Sequence, residues 1–185
     1  REMGFTELLG IDVSEQQVES CRRRGLSVQK VEDTALFLRE HLKEFDLIMM
    51  LDVLEHIPLH EQIGVMRAVH SALKPGGRVI LQVPNASSIL APRHFFNDFT
   101  HHWSFTEHSL RFVLKNAGFE RIEIPGQRPL RRPSFRVWRA WARAGFLRWL
   151  VRRFWQMVLT VELGEWERTE NISLELNLIS VAYKS

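Results

Sequence analysis

The sequence has few of the features that mark secreted or membrane-spanning proteins. Its one cysteine, Cys21, excludes an internal disulfide framework and is compatible with a reducing compartment. No apolar run approaches the roughly 18 residues that cross a bilayer, and no signal peptide opens the sequence. The chain begins at Arg1 rather than at a methionine, so we expect this start to lie within a longer protein. Together these features predict a cytoplasmic location.

Acidic residues are missing between Ile124 and Val161, whereas arginine and tryptophan are concentrated there. The nine arginines are Arg128, Arg131, Arg132, Arg136, Arg139, Arg143, Arg148, Arg152 and Arg153. Four of the six tryptophans in the chain also fall in this segment, namely Trp138, Trp141, Trp149 and Trp155. This uneven distribution predicts an anionic partner for one element of the protein rather than for its whole surface.

The spacing within this basic segment is helical. Arginines at i, i+4, i+7 and i+11 form one stripe, and the tryptophans lie on another. The stripe consists of Arg132, Arg136, Arg139 and Arg143. One interpretation is a helix that docks on an anionic membrane surface or on an anionic lipid-linked acceptor, which would make the protein peripheral to the membrane. The other is a lid helix whose tryptophans pack on the sheet while its arginines are solvated. No recognised nucleic-acid-binding module is present, so we expect no nucleic-acid partner.

Apolar periodicity predicts strands that alternate with helices. The predicted strands are 7–12, 26–31, 45–51, 78–84 and 120–124, and the predicted helices are 14–26, 33–42, 60–77 and 106–119. Residues 87–104 are predicted as a loop with a helical turn, 133–160 as a helix broken near Gly145, and 172–185 as one strand or a hairpin. This order predicts a single α/β domain over residues 1–185, with a mostly parallel sheet and a helical insertion at 126–165.

The ends of the predicted strands carry the polar residues of greatest interest. In open sheets of this class, ligands bind outside the carboxyl ends of the strands. Asp12 ends one of them, and a carboxylate there can accept hydrogen bonds from both hydroxyls of a ribose. An equally good interpretation is that Asp12 only caps the helix that begins near Ser14.

Four stretches resemble successive motifs of the class I S-adenosylmethionine-dependent methyltransferases. They are LLGIDVSEQQVESCRRRGL, FDLIMMLDVLEHIP, ALKPGGRVILQVPN and FTEHSLRFVLKNAGFERIEI. They stand in the order of that family, and the resemblance covers roughly residues 1–124 and the final strand. The chain is most similar to members that act on sugars, polyprenyl quinols and surface-polysaccharide intermediates. The resemblance implies a Rossmann-like fold and S-adenosylmethionine as cofactor.

The resemblance also implies which residues face the cofactor. It assigns Asp12 to the ribose, Glu32 with Asp33 to the neighbourhood of the adenine, and Leu51 with Asp52 to the methionine part. The sequence departs from the family in having no G-x-G-x-G loop, which should precede its first residues.

The strand that carries this loop belongs in the middle of the sheet, between the strands ending at Asp12 and Leu51. We therefore expect a truncated domain, or one in which another segment fills the gap. The two flanking strands could also pair directly. A sheet with unpaired edges would favour association through the sheet or through the basic helices, and hence a homo-oligomer.

Methyl transfer to an oxygen needs alignment of the acceptor and a base that takes its proton. The histidines expected near the mouth of the site are His56, His94, His101, His102 and His108. The segment NDFTHHWSFT resembles one in the sugar- and lipid-acceptor members. We therefore predict His101 as the general base, with Asp98 orienting it. The alternative is that these histidines are polar loop residues or cap the helix that begins near Thr106.

His56 is a further catalytic candidate with two interpretations. Asp52, Glu55 and His56 are spaced i, i+3, i+4, so on a helix they would share one face. That face could bind a divalent metal, as in some quinol methyltransferases that the DVLEH motif resembles. We favour a first helical turn whose acids interact with the helix dipole and whose histidine packs at the cleft wall, and so predict no metal here.

Two functions are compatible with these features. The first is S-adenosylmethionine-dependent O-methylation of a glycan or lipid-linked acceptor, supported by the order of the motifs. The second is a non-catalytic binding or assembly module at a membrane surface, supported by the missing glycine-rich loop.

Overall fold

The computed structural model describes residues 7–125, 140–163 and 172–185. The strands are β1 Gly10–Asp12, β2 Val28–Lys30, β3 Phe45–Leu51, β4 Leu73–Pro84, β5 Arg121–Glu123 and β6 Asn177–Tyr183. The helices are α1 Glu15–Arg23, α2 Thr34–Glu40, α3 Leu59–Ala72, α4 Ala91–Phe96, α5 Glu107–Asn116 and α6 Ala140–Leu163. A 3₁₀ turn, Leu54–His56, follows β3. The predicted α/β class is confirmed.

The described strands form two separate sheets. One contains β1 and β2, which run parallel. The other has the order β3-β4-β6-β5, in which β3 and β4 are parallel and β6 is antiparallel to both of its neighbours. The β1–β2 and β3–β4 pairs are parallel as expected, and β6 is the described strand that runs antiparallel to its neighbours, a direction on which the sequence made no prediction.

The direction of β6 brings both ends of the connection that contains α6 to one edge of the sheet. The first residue of β6, Asn177, pairs with Pro84 at the carboxyl end of β4. The last residue of β5, Glu123, pairs with Val181, so β5 runs parallel to β4. The chain therefore leaves β5 and enters β6 at the same edge, and the connection that contains α6 begins and ends where ligands of such sheets bind.

Helix starts follow the predicted caps. The Ser14 hydroxyl accepts a hydrogen bond from the Gln17 amide at 3.4 Å, and the Asp33 carboxylate accepts one from the Leu36 amide at 2.9 Å. Thr106 forms a reciprocal capping box with Ser109 at the start of α5. Each such cap contributes about 1 kcal/mol by satisfying amides that have no partner within the helix.

Three predicted boundaries are wrong. The helix α3 ends at Ala72, before the Pro75-Gly76-Gly77 run, and β4 begins already at Leu73. Its pairing with β3 is irregular between Leu73 and Arg78, where Gly76 has a φ of 75°. The helix α6 continues through Gly145 without a break, since one glycine costs only about 1 kcal/mol against many helical hydrogen bonds. Within residues 172–185 there is one strand, β6 (Asn177–Tyr183), which starts later than predicted.

The core lies between the larger sheet and the helices α3 and α5. Its fully buried members include Leu54, Met66, Val69, Ala72, Val79, Leu81, Leu110, Leu114 and Leu178. By contrast, Met49 and Leu51 of β3 are 57% and 48% exposed. Of the strands that the structure describes, none pairs with the outer edge of β3. Direct pairing of β3 with β1, one of the predicted ways to close the gap, does not occur.

Part of the basic segment can be placed. Arg132, Arg136, Arg139 and Trp138 lie outside the described residues, and Arg143 belongs to α6 without a described side chain. Along α6, Leu147, Val151, Phe154, Met157 and Val161 are exposed. No described helix combines the length and the hydropathy that crossing a membrane requires.

Candidate functional site

Asp12 lies at the carboxyl end of β1. Its Oδ1 accepts a hydrogen bond from the Ser14 amide at 2.7 Å, so the side chain does support the turn that leads into α1. The carboxylate is nevertheless exposed. A carboxylate has about four acceptor positions, so capping this turn leaves Asp12 with the capacity to bind hydroxyl groups as well. The two interpretations of Asp12 are therefore compatible.

The two acids after β2 differ in their surroundings. Asp33 is the N-cap of α2, and its Oδ1 accepts a hydrogen bond from the Leu36 amide. Glu32 is exposed and lies 3.3 Å from the Lys30 ammonium. Glu32 is thus the more available of the two for a ligand, because an exposed ion pair is worth little and is easily exchanged.

The chain turns sharply after β3. Asp52 has a φ of 54°, a left-handed conformation that Asp tolerates better than most residues. Its two carboxylate oxygens accept from the Gln82 side-chain amide at 3.2 and 2.9 Å. The helical turn begins only at Leu54. The prediction that Asp52, Glu55 and His56 share one helix face is therefore wrong, because Asp52 lies before the turn.

Glu55 is the most unusual residue of this region. It is 0% exposed, and neither of its carboxylate oxygens has a hydrogen-bond partner among the residues that the structure describes. Burial raises the pKa of Glu55 to about 7; the residue's own backbone amide, which is not within hydrogen-bonding geometry of the carboxylate, partly opposes this shift, and the nearby carboxylates of Asp52 and Asp98 add to it. Buried carboxylates are normally paired, so this side chain lacks the compensation that burial usually requires.

His56 is oriented by a relay of hydrogen bonds. Its Nδ1 lies 2.8 Å from the Thr100 hydroxyl, which donates in turn to Asp98 Oδ1 at 2.6 Å. Hydrogen bonds from the hydroxyl and the amide of Thr100 lower the pKa of Asp98, while burial opposes this and His101 and His56 reinforce it. Since the Thr100 proton is given to Asp98, the Thr100 oxygen must accept from His56 Nδ1–H. A neutral His56 therefore has its lone pair on Nε2.

His101 is held by a different partner. Its Nδ1 lies 3.2 Å from the carbonyl oxygen of Phe95. A carbonyl can only accept, so Nδ1 carries the proton and Nε2 has the lone pair. The expected orientation of His101 by Asp98 is replaced by this contact, and the hydrogen bonds of Asp98 instead lead through Thr100 to His56.

The structure brings two of the predicted histidines together. The rings of His56 and His101 lie 4.7 Å apart, centroid to centroid. The amide of His102 donates to the Glu55 carbonyl at 2.8 Å, which ties the loop after α4 to the 3₁₀ turn. Of the other candidates, His94 lies on α4 and His108 in the first turn of α5.

Sequence reasoning missed Gln62 on α3. This side chain is fully buried, and its amide donates to the carbonyls of Leu54 and Ile57 at 3.2 and 3.1 Å. It thereby holds the turn that carries Glu55 and His56. The sequence does contain a sign of this role. Gln62 is a polar residue at the helical spacing that places it on the same inward face as Val65, Met66 and Val69.

Sequence reasoning also missed the role of Asn85. Its side-chain amide donates to the carbonyls of Ser173 and Glu175, each at 2.7 Å. Glu175 in turn binds Arg152 of α6 through two hydrogen bonds of 2.8 and 3.1 Å. The buried Asn85 therefore connects the carboxyl end of β4, through the segment before β6, to the basic helix.

Relatives of known sequence point to one family. Residues 1–124 match the family described as Methyltransferase domain. The chain is 30% identical over 135 residues to the ubiquinone biosynthesis O-methyltransferase of Ruegeria pomeroyi, a match that covers 65% of this chain and 54% of that protein. It is 38% identical over 81 residues to the enzyme of the same name from Pseudomonas syringae, covering 41% and 34%. The chain thus spans about half, or less, of the length of these relatives.

Solved structures share the fold. A SAM-dependent methyltransferase from Archaeoglobus fulgidus aligns with a TM-score of 0.66 at 19% identity, covering 95% of this chain and 75% of that one. A possible histamine N-methyltransferase from Thermotoga maritima aligns with a TM-score of 0.63 at 18% identity, covering 96% and 72%. The family match covers most of the described α/β region. The chain therefore belongs to the methyltransferase-domain family and has the fold of the S-adenosylmethionine-dependent methyltransferases.

Proposed function

We propose that this protein is an S-adenosylmethionine-dependent O-methyltransferase whose acceptor is a hydroxyl of a glycan or a lipid-linked intermediate. The observation that carries the proposal is the pair His56 and His101, whose Nε2 lone pairs are left free by the hydrogen bonds at Nδ1. This pair follows the carboxyl ends of β3 and β4, the edge at which sheets of this class bind ligands.

The residues of the strand ends fit the cofactor. Asp12 and Glu32 are exposed, and the Asp12 carboxylate can accept hydrogen bonds beyond the one from Ser14. Leu51 is 48% exposed on β3, with whose outer edge no described strand pairs. Asp12 would hold the ribose, Glu32 and Asp33 would lie near the adenine, and the backbone of Leu51 and Asp52 would flank the methionine part. When bound, S-adenosylmethionine supplies a methyl group on a sulfonium.

The histidines supply the proton chemistry. We assign His101 as the general base, because its Nε2 lone pair can take the proton of an acceptor hydroxyl. The Phe95 carbonyl then stabilises the imidazolium by accepting from Nδ1–H. His56, fixed through Thr100 and Asp98, lies beside His101 and would help to align the acceptor. Such alignment is a large part of the catalysis of any displacement at carbon.

Two observations support a hydroxyl acceptor on an apolar molecule. The relatives are named for O-methylation in ubiquinone biosynthesis. In addition, Phe96, Phe99 and Trp103 are exposed on the loop and helix that carry His101, and they offer an apolar surface for an acceptor next to the base.

A second candidate function is a binding or assembly module. It is favoured by the outer edge of β3, with which no described strand pairs, and by the separation of β1 and β2 into a sheet of their own, since free edges promote association. On this proposal the cytoplasmic protein forms homo-oligomers, or docks on an anionic membrane through Arg132, Arg136, Arg139, Arg143 and the exposed apolar residues of α6.

One experiment separates the two candidates. Binding of S-adenosylhomocysteine to the chain is measured by calorimetry, and transfer of labelled methyl is assayed with polyprenyl quinols and glycolipids that carry free hydroxyls. The enzyme proposal predicts binding, transfer by the wild-type chain and loss of transfer in His101→Ala. Cofactor binding without transfer to any of these acceptors would favour the module.

A further inference from the structure

The helix α6 is attached to the rest of the protein through Arg152, at its middle. The guanidinium of Arg152 donates two hydrogen bonds, of 2.8 and 3.1 Å, one to each carboxylate oxygen of Glu175. The Arg152 side chain is 20% exposed and that of Glu175 is 42% exposed. Paired hydrogen bonds between an arginine and a carboxylate fix both position and angle, and partial burial reduces their screening by salt. Arg152 therefore anchors α6.

The side of α6 that carries Arg152 is less exposed than the opposite side. Trp149 and Leu159 stand three residues before and seven residues after Arg152, and both are half-buried. Residues at these spacings lie on one face of a helix. By contrast, Val151 and Phe154 are 53% and 58% exposed. The helix thus presents one defined face to the protein, and Arg152 lies on that face.

Asn85 fixes the segment to which α6 is anchored. Its side-chain amide donates to the carbonyls of Ser173 and Glu175, each at 2.7 Å, and its backbone amide donates to the Leu176 carbonyl at 3.0 Å. Its Oδ1 accepts from the Ser87 amide at 2.9 Å. Asn85 is only 1% exposed. A buried polar side chain whose donors and acceptor are all used holds its neighbours in one arrangement, so the segment before β6 has a fixed place at the end of β4.

The residues on either side of Asn85 hold the end of the loop that carries His101. The Phe105 amide donates to the Pro84 carbonyl at 3.0 Å, and the Phe105 carbonyl accepts from the Ala86 amide at 2.8 Å. Residues 84–86 therefore bond to this loop through their neighbouring backbone groups and to the segment before β6 through Asn85.

A second contact joins the same two segments. The Ser173 amide donates to Oε1 of Glu107 at 2.6 Å, and Glu107 lies in the first turn of α5, which follows the His101 loop directly. The segment that anchors α6 is thus bonded on both sides of Phe105, to the end of β4 and to the start of α5.

We propose that Arg152, Glu175 and Asn85 form a brace that fixes α6 to the base of the His101 loop, so that α6 forms one wall of the acceptor site. The three are positioning residues, which act by holding the wall and the base at a constant separation. A bound acceptor is then aligned with His101 at little further cost in entropy. The brace itself does not depend on the reaction, whereas the effect of the wall on the acceptor rests on the proposed function.

The brace is tested by amide hydrogen exchange, detected by mass spectrometry on the full 185-residue chain. Arg152→Gln removes the ion pair and should raise the exchange rates of residues 140–163 roughly 10-fold, because local opening becomes easier when a charge-assisted contact is lost. Residues 101–105 should exchange as in the wild type. Asn85→Asp is nearly isosteric but sets a carboxylate against two carbonyls, and it should raise exchange in both stretches.

Two matched variants serve as controls. Arg153→Gln changes an exposed arginine one position along α6, and Asn116→Asp changes an exposed asparagine whose side-chain amide bonds within α5. Both should exchange as the wild type does. Because Asn85→Asp could fail to fold, Arg152→Lys is also measured. It keeps the charge but loses the paired geometry, so its exchange rates over α6 should lie between those of the wild type and of Arg152→Gln.

The wall is tested by kinetics, with a polyprenyl quinol that carries a free hydroxyl as the acceptor. Arg152→Gln should raise the KM for this acceptor roughly 10-fold and leave kcat unchanged, which is the pattern expected when binding alone is weakened. The Kd for S-adenosylhomocysteine should stay the same. Arg153→Gln should have the wild-type KM, and Arg152→Lys should restore part of the loss.

Different results would overturn the two parts of the proposal. Exchange over α6 that is the same in the wild type and in Arg152→Gln would refute the brace, as would equal effects of Arg152→Gln and Arg153→Gln. Faster exchange over α6 with an unaltered KM for the acceptor would refute the wall. A wild-type chain that transfers no methyl group would count against the proposed function, while the exchange rates would still decide whether the brace exists.

Discussion

The imidazole rings of His56 and His101 lie 4.7 Å apart, although one follows β3 and the other follows α4. Each ring is held at Nδ1 by an acceptor, which is the Phe95 carbonyl at the end of α4 for His101 and the Thr100 hydroxyl in the following loop for His56. The two rings therefore present the same nitrogen, Nε2, with its lone pair. Because the two rings lie close together and are both held at Nδ1, the pair forms one candidate site rather than two unrelated loop histidines.

Removal of the proposed base should abolish turnover without affecting cofactor binding. His101→Ala is expected to lower kcat by about 10²–10⁴-fold, the usual contribution of a general base, while the Kd for S-adenosylhomocysteine stays unchanged. His60→Ala, which alters an exposed histidine, should keep full activity. Comparable activity in the two variants would contradict the role of His101.

Loss of the Asp12 carboxylate should weaken cofactor binding. Asp12→Ala is expected to cost roughly 1.5–3 kcal/mol of binding free energy, the worth of hydrogen bonds to a charged group, as measured by calorimetry. Asp12→Asn retains the oxygen that accepts from Ser14 and separates the loss of ribose contacts from damage to the turn. Glu19→Ala, on the exposed face of α1, is the control. Equal affinities in all three variants would remove Asp12 from the site.

Gln62 should stabilise the turn that carries Glu55 and His56. Gln62→Leu leaves the buried carbonyls of Leu54 and Ile57 without this donor. We expect the free energy of unfolding to fall by roughly 1–3 kcal/mol, measured by urea denaturation. Gln17→Leu changes an exposed glutamine of α1 and should have little effect. If both variants are as stable as the wild type, Gln62 does not support the turn.

His70 should make the fold less stable in acid. Burial, together with the nearby Lys184, lowers the pKa of His70 below its ordinary value of 6.5, and its ring packs edge-on against Phe119. The unfolded chain therefore binds a proton at a pH where the folded chain does not. The contribution of neutral His70 to the free energy of unfolding is fully present above pH 6.5. It is lost as the pH falls toward and through the lowered pKa of His70.

The measurement is a comparison of variants across pH. The free energy of unfolding of the wild type, minus that of His70→Gln, should decrease on acidification below pH 6.5. The same difference taken with Gln17→Leu, a change at an exposed residue that does not titrate, should stay flat. A difference for His70→Gln that does not depend on pH would show that its pKa is not lowered by the fold.

The basic segment, which includes α6, offers a test of membrane docking. Phe154 is 58% exposed on α6, so Phe154→Ser should leave the fold stable and lower binding to vesicles that contain anionic lipid. Replacing Arg132, Arg136, Arg139 and Arg143 by glutamine should remove about 1 kcal/mol per residue that lies near the surface. Binding should fall as salt is added. Vesicle binding that is indifferent to lipid charge and salt would favour the lid interpretation.

Much of this protein could be predicted from local sequence. The continuous apolar run of β3 predicted its bounds without error, and the cap residues Ser14, Asp33 and Thr106 marked three helix starts. These features depend on interactions between residues a few positions apart. The strand ends were predicted for the same reason, and with them the edge of the sheet at which the candidate residues lie.

The sequence by itself determined the family, the order of strands and helices, and the residue types at the strand ends. Motifs, periodicity and helix caps depend on residues that are close together in the sequence, so they can be recognised without the structure. Only the tertiary structure decided that β6 runs antiparallel, that Asp98 reaches His56 through Thr100 instead of orienting His101, and that the buried Glu55 carboxylate has no hydrogen-bond partner among the described residues. Each of these depends on contacts between segments that lie far apart in the chain. Such contacts are settled by how the 3₁₀ turn, the loop after α4 and the helix α3 pack together, and no local pattern encodes that packing.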